Sequence, residues 1–208
     1  VALINNIDDD HLDYYKDIDH IVLAFRKFLD HLPENGLFIA CTDDPRVAAL
    51  AAESKHTVKS YGLHSGDYRA ENVRFDENGF PSFTITKNGD AVGDVSLTVP
   101  GLHNVLNALG AYVVAETFGI PFAAYAEAMY AFSNTKRRFE YYGERNGVRY
   151  FHDYGHHPNE IRATLDAASR VPHEHLYCVF QCNSYTRAKT LFCENVTCFA
   201  DADAVLVP

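Results

Sequence analysis

Positive charge is in short supply in this chain. Its 208 residues include 18 lysines and arginines against 28 aspartates and glutamates, a net charge of −10. Nucleic acid and anionic membrane are therefore poor partners, since both are held through basic surface. A small phosphate-bearing substrate remains open, because a few local cations and backbone amides suffice to bind one. No apolar run approaches the roughly 20 residues needed to cross a bilayer. Cysteine is scarce and odd in number: Cys41, Cys178, Cys182, Cys193 and Cys198. That is no disulfide framework, and it predicts a reducing compartment, the cytoplasm. Repeats, low-complexity tracts and a targeting segment are all missing, and Met129 is the only methionine. The chain opens at Val1 inside a strand-like run and closes just after another, so both ends are expected to be cut from a longer protein.

What is present suits a folded α/β chain. Hydrophobic residues make up 47% and charged residues 22%, which excludes disorder. Val1 to Ile7 reads as a strand. Ile18 to Leu32 carries apolar residues at three- and four-residue steps and reads as a helix. A buried strand follows at Leu37–Cys41, then a helix capped by Asp43 or Asp44 with Pro45 in its first turn, then a strand from Val58 to Leu63. This alternation predicts a mostly parallel sheet. From Tyr68 to Val99 the pattern changes to antiparallel segments, with strands near 83–86 and 95–99 and turns at Asn78-Gly79 and Asn88-Gly89. Helices are expected over 104–118 and 122–132, and a domain junction over 133–138. Beyond it, strands at 148–154, 176–181 and 204–207 alternate with helices at 159–168 and 188–199. That is the pattern of a doubly wound, Rossmann-like unit, here incomplete. The expected division is 1–135 and 136–208.

Four clusters carry candidate chemistry. Asp10, His11 and Asp13 follow the opening strand, where a parallel sheet places ion ligands, although taken alone a solvated acidic loop capping the next helix is the plainer reading. His103, Asn104 and Asn107 begin a helix, and the two amides share a face suited to an adenine edge. The plainer reading is a helix cap. Arg137 and Arg138 are candidates for phosphate contact, against simple pairing with Glu140 or Glu144. His152, Asp153, Tyr154, His156 and His157 precede Pro158 and a helix, which favours anion or substrate contact over metal. Among the cysteines, 178/182 and 193/198 are loosely paired as in zinc sites. Cys178, however, lies in an apolar run, so buried or incidental thiols are the simpler account.

Taken in order, the strings Asn-Ile-x-x-Asp-His-Leu-Asp-Tyr-Tyr (6–15), Gly-x-His-Asn-x-x-Asn (101–107), Arg-Arg-Phe-Glu (137–140) and Asp-Tyr-Gly-His-His-Pro (153–158) resemble the Mur ligases. Phe180-Gln181 with Tyr185-Thr186-Arg187 narrows the resemblance to the branch that joins L-alanine to UDP-N-acetylmuramate. The resemblance implies an ATP- and Mg²⁺-dependent enzyme of peptidoglycan precursor synthesis, with 1–135 from the central ATP-binding domain and 136–208 from the amino-acid-binding domain. It implies that His11 is a magnesium ligand and that His103, Asn104 and Asn107 surround adenine. By the same resemblance Arg137 and Arg138 contact phosphates, and Asp153 holds the ribose. Tyr154, His156 and Arg187 then face the substrate carboxylate and the amino acid.

Some family features are missing from 1–208: the Gly-rich phosphate loop with its lysine, the acidic magnesium ligand after it, and the UDP-binding domain. The chain alone is accordingly expected to be inactive. The family's Phe-Gln-Pro-His is here Phe180-Gln181-Cys182-Asn183, and His152 replaces an aspartate. The rival readings are a sister ligase (murein peptide ligase or folylpolyglutamate synthetase) and a non-catalytic α/β remnant.

Overall fold

The computed structural model describes residues 1–182 and 184–208. In chain order the elements are β1 (Ala2–Ile4), α1 (Ile18–Asp30), β2 (Leu37–Cys41), α2 (Pro45–Ala52), β3 (Thr57–Gly62), β4 (Tyr68–Phe75), β5 (Pro81–Lys87), β6 (Asp90–Ser96), α3 (Leu102–Thr117) and α4 (Phe122–Ala131). These are followed by β7 (Glu140–Arg145), β8 (Val148–His152), α5 (Pro158–Ser169), β9 (Tyr177–Val179), α6 (Tyr185–Thr190), α7 (Phe192–Thr197) and β10 (Ala204–Leu206). They form two compact units. The first comprises residues 1–74, 82–96 and 103–130, and the second 75–81, 97–102 and 131–208.

Six strands make the sheet of the first unit, in the order β1-β2-β3-β4-β5-β6. β1, β2 and β3 run parallel, and β5 and β6 form an antiparallel hairpin. Asn88 and Gly89 both take left-handed φ at that hairpin's tip, as a tight two-residue turn requires. One core packs Ile21 and Leu29 of α1 and Val47 and Leu50 of α2 on Ala2, Ile4, Phe38 and Ala40 of the strands. α3 is buried along Val105, Leu109, Tyr112 and Val113. Gly110 lets this helix come close to the sheet, since a Cβ there would lie 3.0 Å from the Tyr61 ring.

Carboxylates tie the parallel strands to their helices. Asp44 caps α2 by accepting from the amides of Arg46 and Val47, with Pro45 next to it in the first turn. Asp43 accepts instead from the amides of Leu63, His64 and Ser65 after β3, at 2.6, 3.1 and 3.1 Å. A Cβ at Gly62 would sit 2.5 Å from this carboxylate, so the loop closes only around glycine. In the last turn of α3, Glu116 receives Lys87 at 2.7 Å and Lys59 at 3.1 Å, together with the Tyr68 hydroxyl. Helix α3 is thereby pinned to β3, β4 and β5. Burial opposes ionisation of Glu116, but hydrogen bonds from Lys87, Tyr68 and Lys59 outweigh it and hold the pKa down at about 2.

In the second unit, β9 and β10 pair in parallel, and Ile161, Leu165 and Cys198 form a small core joined by Cys178 and Phe180. The strand expected at 148–154 is present as β8, but its partner is β7, in an antiparallel hairpin separate from β9 and β10. The cause is local. Asn146 and Gly147 both adopt left-handed φ and turn the chain straight back on itself. The single helix expected over 188–199 is two short ones, because Leu191 leaves helical geometry (ψ 31°) between them. The strand expected up to Val99 ends at Ser96.

Among the described residues no helix is long and apolar enough to cross a membrane. Replacing Glu116 with glutamine should lower unfolding stability by about 2 kcal/mol at neutral pH, the scale of hydrogen bonds to a charged group. Because the folded-state pKa of Glu116 lies below its ordinary 4.5, its contribution is complete above pH 4.5 and is lost as pH falls towards 2. Denaturant melts of parent and variant should therefore differ at pH 6 and converge near pH 2.

Candidate functional site

Two groups of polar side chains are built at the ends of secondary-structure elements, one in each unit. Helix α3 starts at Leu102 after Gly101, whose φ of 99° admits only glycine comfortably, and enters the first unit at His103. His103 and Asn107 are exposed and Asn104 is half-buried, all in the first two turns of α3. A chain of hydrogen bonds fixes the amides. The Tyr61 hydroxyl donates to Asn5 Oδ1, Asn5 Nδ2 donates to Asn107 Oδ1 at 2.9 Å, and Asn107 Nδ2 donates to Asn104 Oδ1 at 3.2 Å. Burial, with smaller contributions from Cys41 and Asp43, pushes the Tyr61 phenol upward in pKa, so it is a dependable donor at the head of the chain. The row therefore has a direction, set from the core outwards. Asn5 and Tyr61 were not among the residues read from the sequence. The only local signal was the place of Asn5 at the carboxyl end of a parallel strand.

The loop after β1 is anchored by Asp44 and its neighbour Arg46. Asp44 Oδ2 accepts from the Ile7 amide at 3.2 Å, and Arg46 Nη1 donates to the Ile7 carbonyl at 3.2 Å. His11 has a left-handed φ of 56°, its amide donates to Asp10 Oδ1, and its imidazole is exposed with Nε2 3.7 Å from Asp10 Oδ2. Among the described residues no three His, Cys, Asp or Glu side chains come together as a metal site. His11 offers one exposed imidazole, and the described residues around it do not by themselves make up a metal-ligand set. Cys178 and Cys198 lie in the apolar cluster of the second unit, whereas Cys182 and Cys193 are exposed.

In the second unit the segment before β7 is tightly bent. Asn134, Arg137 and Phe139 all have positive φ, at 84°, 60° and 45°, an uncommon state for non-glycine residues that needs outside support. Carboxylates and neighbouring backbone supply it. Glu140 accepts from the Arg137 amide at 2.6 Å, Asp153 Oδ2 from the Phe139 amide at 2.8 Å, and Arg137 O from the Tyr154 amide at 2.8 Å. The other Asp153 oxygen accepts from the Gly155 amide at 2.6 Å. Arg137 stacks its guanidinium on the Tyr154 ring at 4.6 Å, and Tyr154 meets His156 edge-on at 5.4 Å. Arg138 Nη1 reaches Glu160 at 3.1 Å and stands 3.9 Å from Asp153, so its carboxylate partners are these and not Glu140 or Glu144.

The structure thus gathers Arg137, Arg138, Asp153, Tyr154 and His156 in one cluster. Burial alone would raise the pKa of Glu160, but the amides of His156 and His157 and the Arg138 guanidinium more than reverse this and leave it lowered. Arg187 lies half-buried on α6, its amide bonded to the capping Ser184 hydroxyl. His152 is exposed on β8 against Tyr142. Asn183 lies outside the described residues. A hollow of about 720 Å³ in the same unit is lined by Lys136, Phe139, Tyr141 and Phe151, but by none of the five clustered residues.

Comparison with known proteins bears on both groups. Residues 1–115 match the model of the Mur ligase middle domain, and residues 137–207 that of the Mur ligase glutamate ligase domain. The UDP-N-acetylmuramate–L-alanine ligase of Clostridium acetobutylicum is 44% identical over 207 residues, covering 100% of this chain and 45% of that protein. The chain therefore spans just under half the length of such relatives. Among solved structures, UDP-N-acetylmuramate-alanine ligase from Thermotoga maritima superposes with a TM-score of 0.77 at 27% identity, over 99% of this chain and 44% of that one. MurF from Acinetobacter baumannii, at 19% identity, shares the fold with a TM-score of 0.85, over 99% and 46% of the two chains.

Asp153 is expected to be the keystone of the bent segment. Changing it to alanine strips the acceptor from two amides, a loss of about 2 kcal/mol. Amide hydrogen exchange at Phe139 and Gly155 should accelerate well before exchange in β2 does. Unchanged protection at those two positions would show that the carboxylate is dispensable.

Proposed function

The chain belongs to the Mur ligase family, and on that footing we propose that it is part of a cytoplasmic, ATP-dependent ligase that joins L-alanine to UDP-N-acetylmuramate. The observation that carries this reading is 44% identity, along the whole chain, to an enzyme of that name. The sister ligases and the non-catalytic remnant have no comparable support. We place residues 1–135 in the central, nucleotide-binding part and 136–208 in the part that receives the amino acid. The matches to two successive family domains support that division.

The two polar groups suit this chemistry. The amide row of Asn104 and Asn107, with exposed His103, offers donors and acceptors of fixed direction to a planar base. Asp153 engages one amide per oxygen, and each oxygen retains a second lone pair for a ribose hydroxyl. Arg138, and Arg137 held over the Tyr154 ring, supply positive charge and forked donors to phosphate oxygens. Tyr154, His156 and Arg187 face the substrate carboxylate and the amino acid, and His11 contributes one ligand to magnesium. Magnesium, when bound, supplies neutralisation of phosphate charge.

In the reaction, a muramyl carboxylate oxygen forms a bond to the γ-phosphorus while the bond to the bridging oxygen breaks and ADP leaves. The alanine amine, having lost its ammonium proton, then adds to the acyl carbon; the nitrogen gives up a second proton to solvent as the carbon–oxygen bond to phosphate breaks and inorganic phosphate departs. Such chemistry rests on positioning and on charge neutralisation, which are the two things this cluster is built to provide.

The test uses the complete ligase containing this segment. Phosphate release should require ATP, UDP-N-acetylmuramate and L-alanine together. Asn104→Ala should raise KM for ATP about tenfold, the cost of about one good hydrogen bond. Arg138→Ala should lower kcat about a hundredfold, as loss of a charge-stabilising donor does. A marked preference for a preformed peptide over L-alanine would instead favour the murein peptide ligase reading.

A further inference from the structure

We propose that Glu160 is a positioning residue that sets Arg138 and His156 relative to each other. This rests on the functional reading above. Glu160 sits three residues after His157, and the two form a capping box at the start of α5. Such a box needs only one bond back from the glutamate to the cap amide. Glu160 does more. Its Oε2 accepts from the amides of both His156 and His157, at 3.0 and 3.2 Å. Its Oε1 accepts from Arg138 Nη1 at 3.1 Å, from a side chain 22 residues earlier in the sequence. One carboxylate therefore fixes the backbone that carries one candidate group and the guanidinium that is the other.

The surroundings are shaped for this arrangement. A Cβ at Gly155 would lie 2.8 Å from Asp153 Oδ1 and 3.3 Å from the Glu160 Cβ, so glycine lets the chain pass close between the Asp153 carboxylate and the stem of Glu160. Arg138 is thereby flanked by Asp153 at 3.9 Å and Glu160 at 3.1 Å. A half-exposed ion pair is worth little when both partners must be ordered to form it. Here the acceptor is already immobilised by two amides, so only Arg138 has to be ordered. His156 Nδ1 faces two acceptors, Tyr154 O at 3.0 Å and Glu160 Oε2 at 3.8 Å, so Nδ1 carries a proton and donates to the carbonyl. A capping box forms with glutamine as well as with glutamate, whereas pairing with an arginine requires the charge.

Glu160→Gln separates the two roles, since glutamine keeps an oxygen for the amides but loses the charge. In the complete ligase, Glu160→Gln should lose less melting temperature than Glu160→Ala and lose roughly tenfold or more in kcat/KM for ATP. Glu160→Ala should lose both activity and melting temperature. In the Arg138→Ala background, Glu160→Gln should cost nothing further, because the group it positions is gone. The cycle is read well below the lowest melting temperature, so a change in stability leaves it readable. Parental kinetics in Glu160→Gln, or losses that multiply with those of Arg138→Ala, would overturn the proposal. A second readout is independent of activity. In the purified chain, nitrogen NMR of the Arg138 guanidinium should show restricted rotation in the parent and free rotation in Glu160→Gln. If the parent ligase shows no alanine-dependent turnover, the functional reading fails, and the guanidinium signal alone decides whether Glu160 holds Arg138. Free rotation in the parent sinks the proposal.

Discussion

Backbone amides left over where strands and helices end must find an acceptor, and in this chain the acceptor is repeatedly a carboxylate. Asp17 caps α1 and Asp44 caps α2. Asp43 gathers three amides after β3, Asp76 two around the Asn78-Gly79 turn, and Asp153 one before β7 and one after β8. Glu160 takes two more at the head of α5. The excess of acid over base is thus partly structural. Many of these carboxylates act as hydrogen-bond acceptors for the fold's own amides while they keep their charge.

The same device explains how an acidic chain can present cations in fixed places. Arg138 is held by Glu160 beside Asp153, and Arg137 lies on the Tyr154 ring. An ordered arginine loses less entropy on meeting an anion than one that roams in solvent. The left-handed turns at Arg137 and Phe139 would otherwise cost energy. The glutamate and aspartate bonds to their amides offset that cost, and the strain is tolerated where the candidate chemistry lies.

In the first unit the polar row depends on the core. Tyr61 is fully buried, yet its hydroxyl emerges at Asn5 and orients Asn107 and Asn104 in turn. Gly110 makes room for that ring against α3. Packing and recognition are therefore not separable here. A change that shifts the Tyr61 ring turns the amides, even though none of them touches it except Asn5.

Reading residues in order revealed much of this molecule. The period-3.6 pattern from Ile18 and the short apolar run at Leu37–Cys41 identified α1 and β2, because burial on one face leaves a local, repeating trace. Arg137, Arg138, Asp153, Tyr154 and His156 were legible because they lie in two short strings, each held together by nearby turns. Strand β7 was missed, and its partner β8 was assigned to the wrong neighbours, since Glu140–Arg145 alternates too weakly to declare a buried face and is exposed almost throughout. Asn5, Tyr61 and Glu160 left no such trace. Their importance lies in bonds spanning 102, 56 and 22 residues. Secondary structure and short motifs follow from neighbours along the chain. Which carboxylate holds which arginine, and which tyrosine turns which amide, is settled only when the sheet and helices bring distant residues within hydrogen-bond reach.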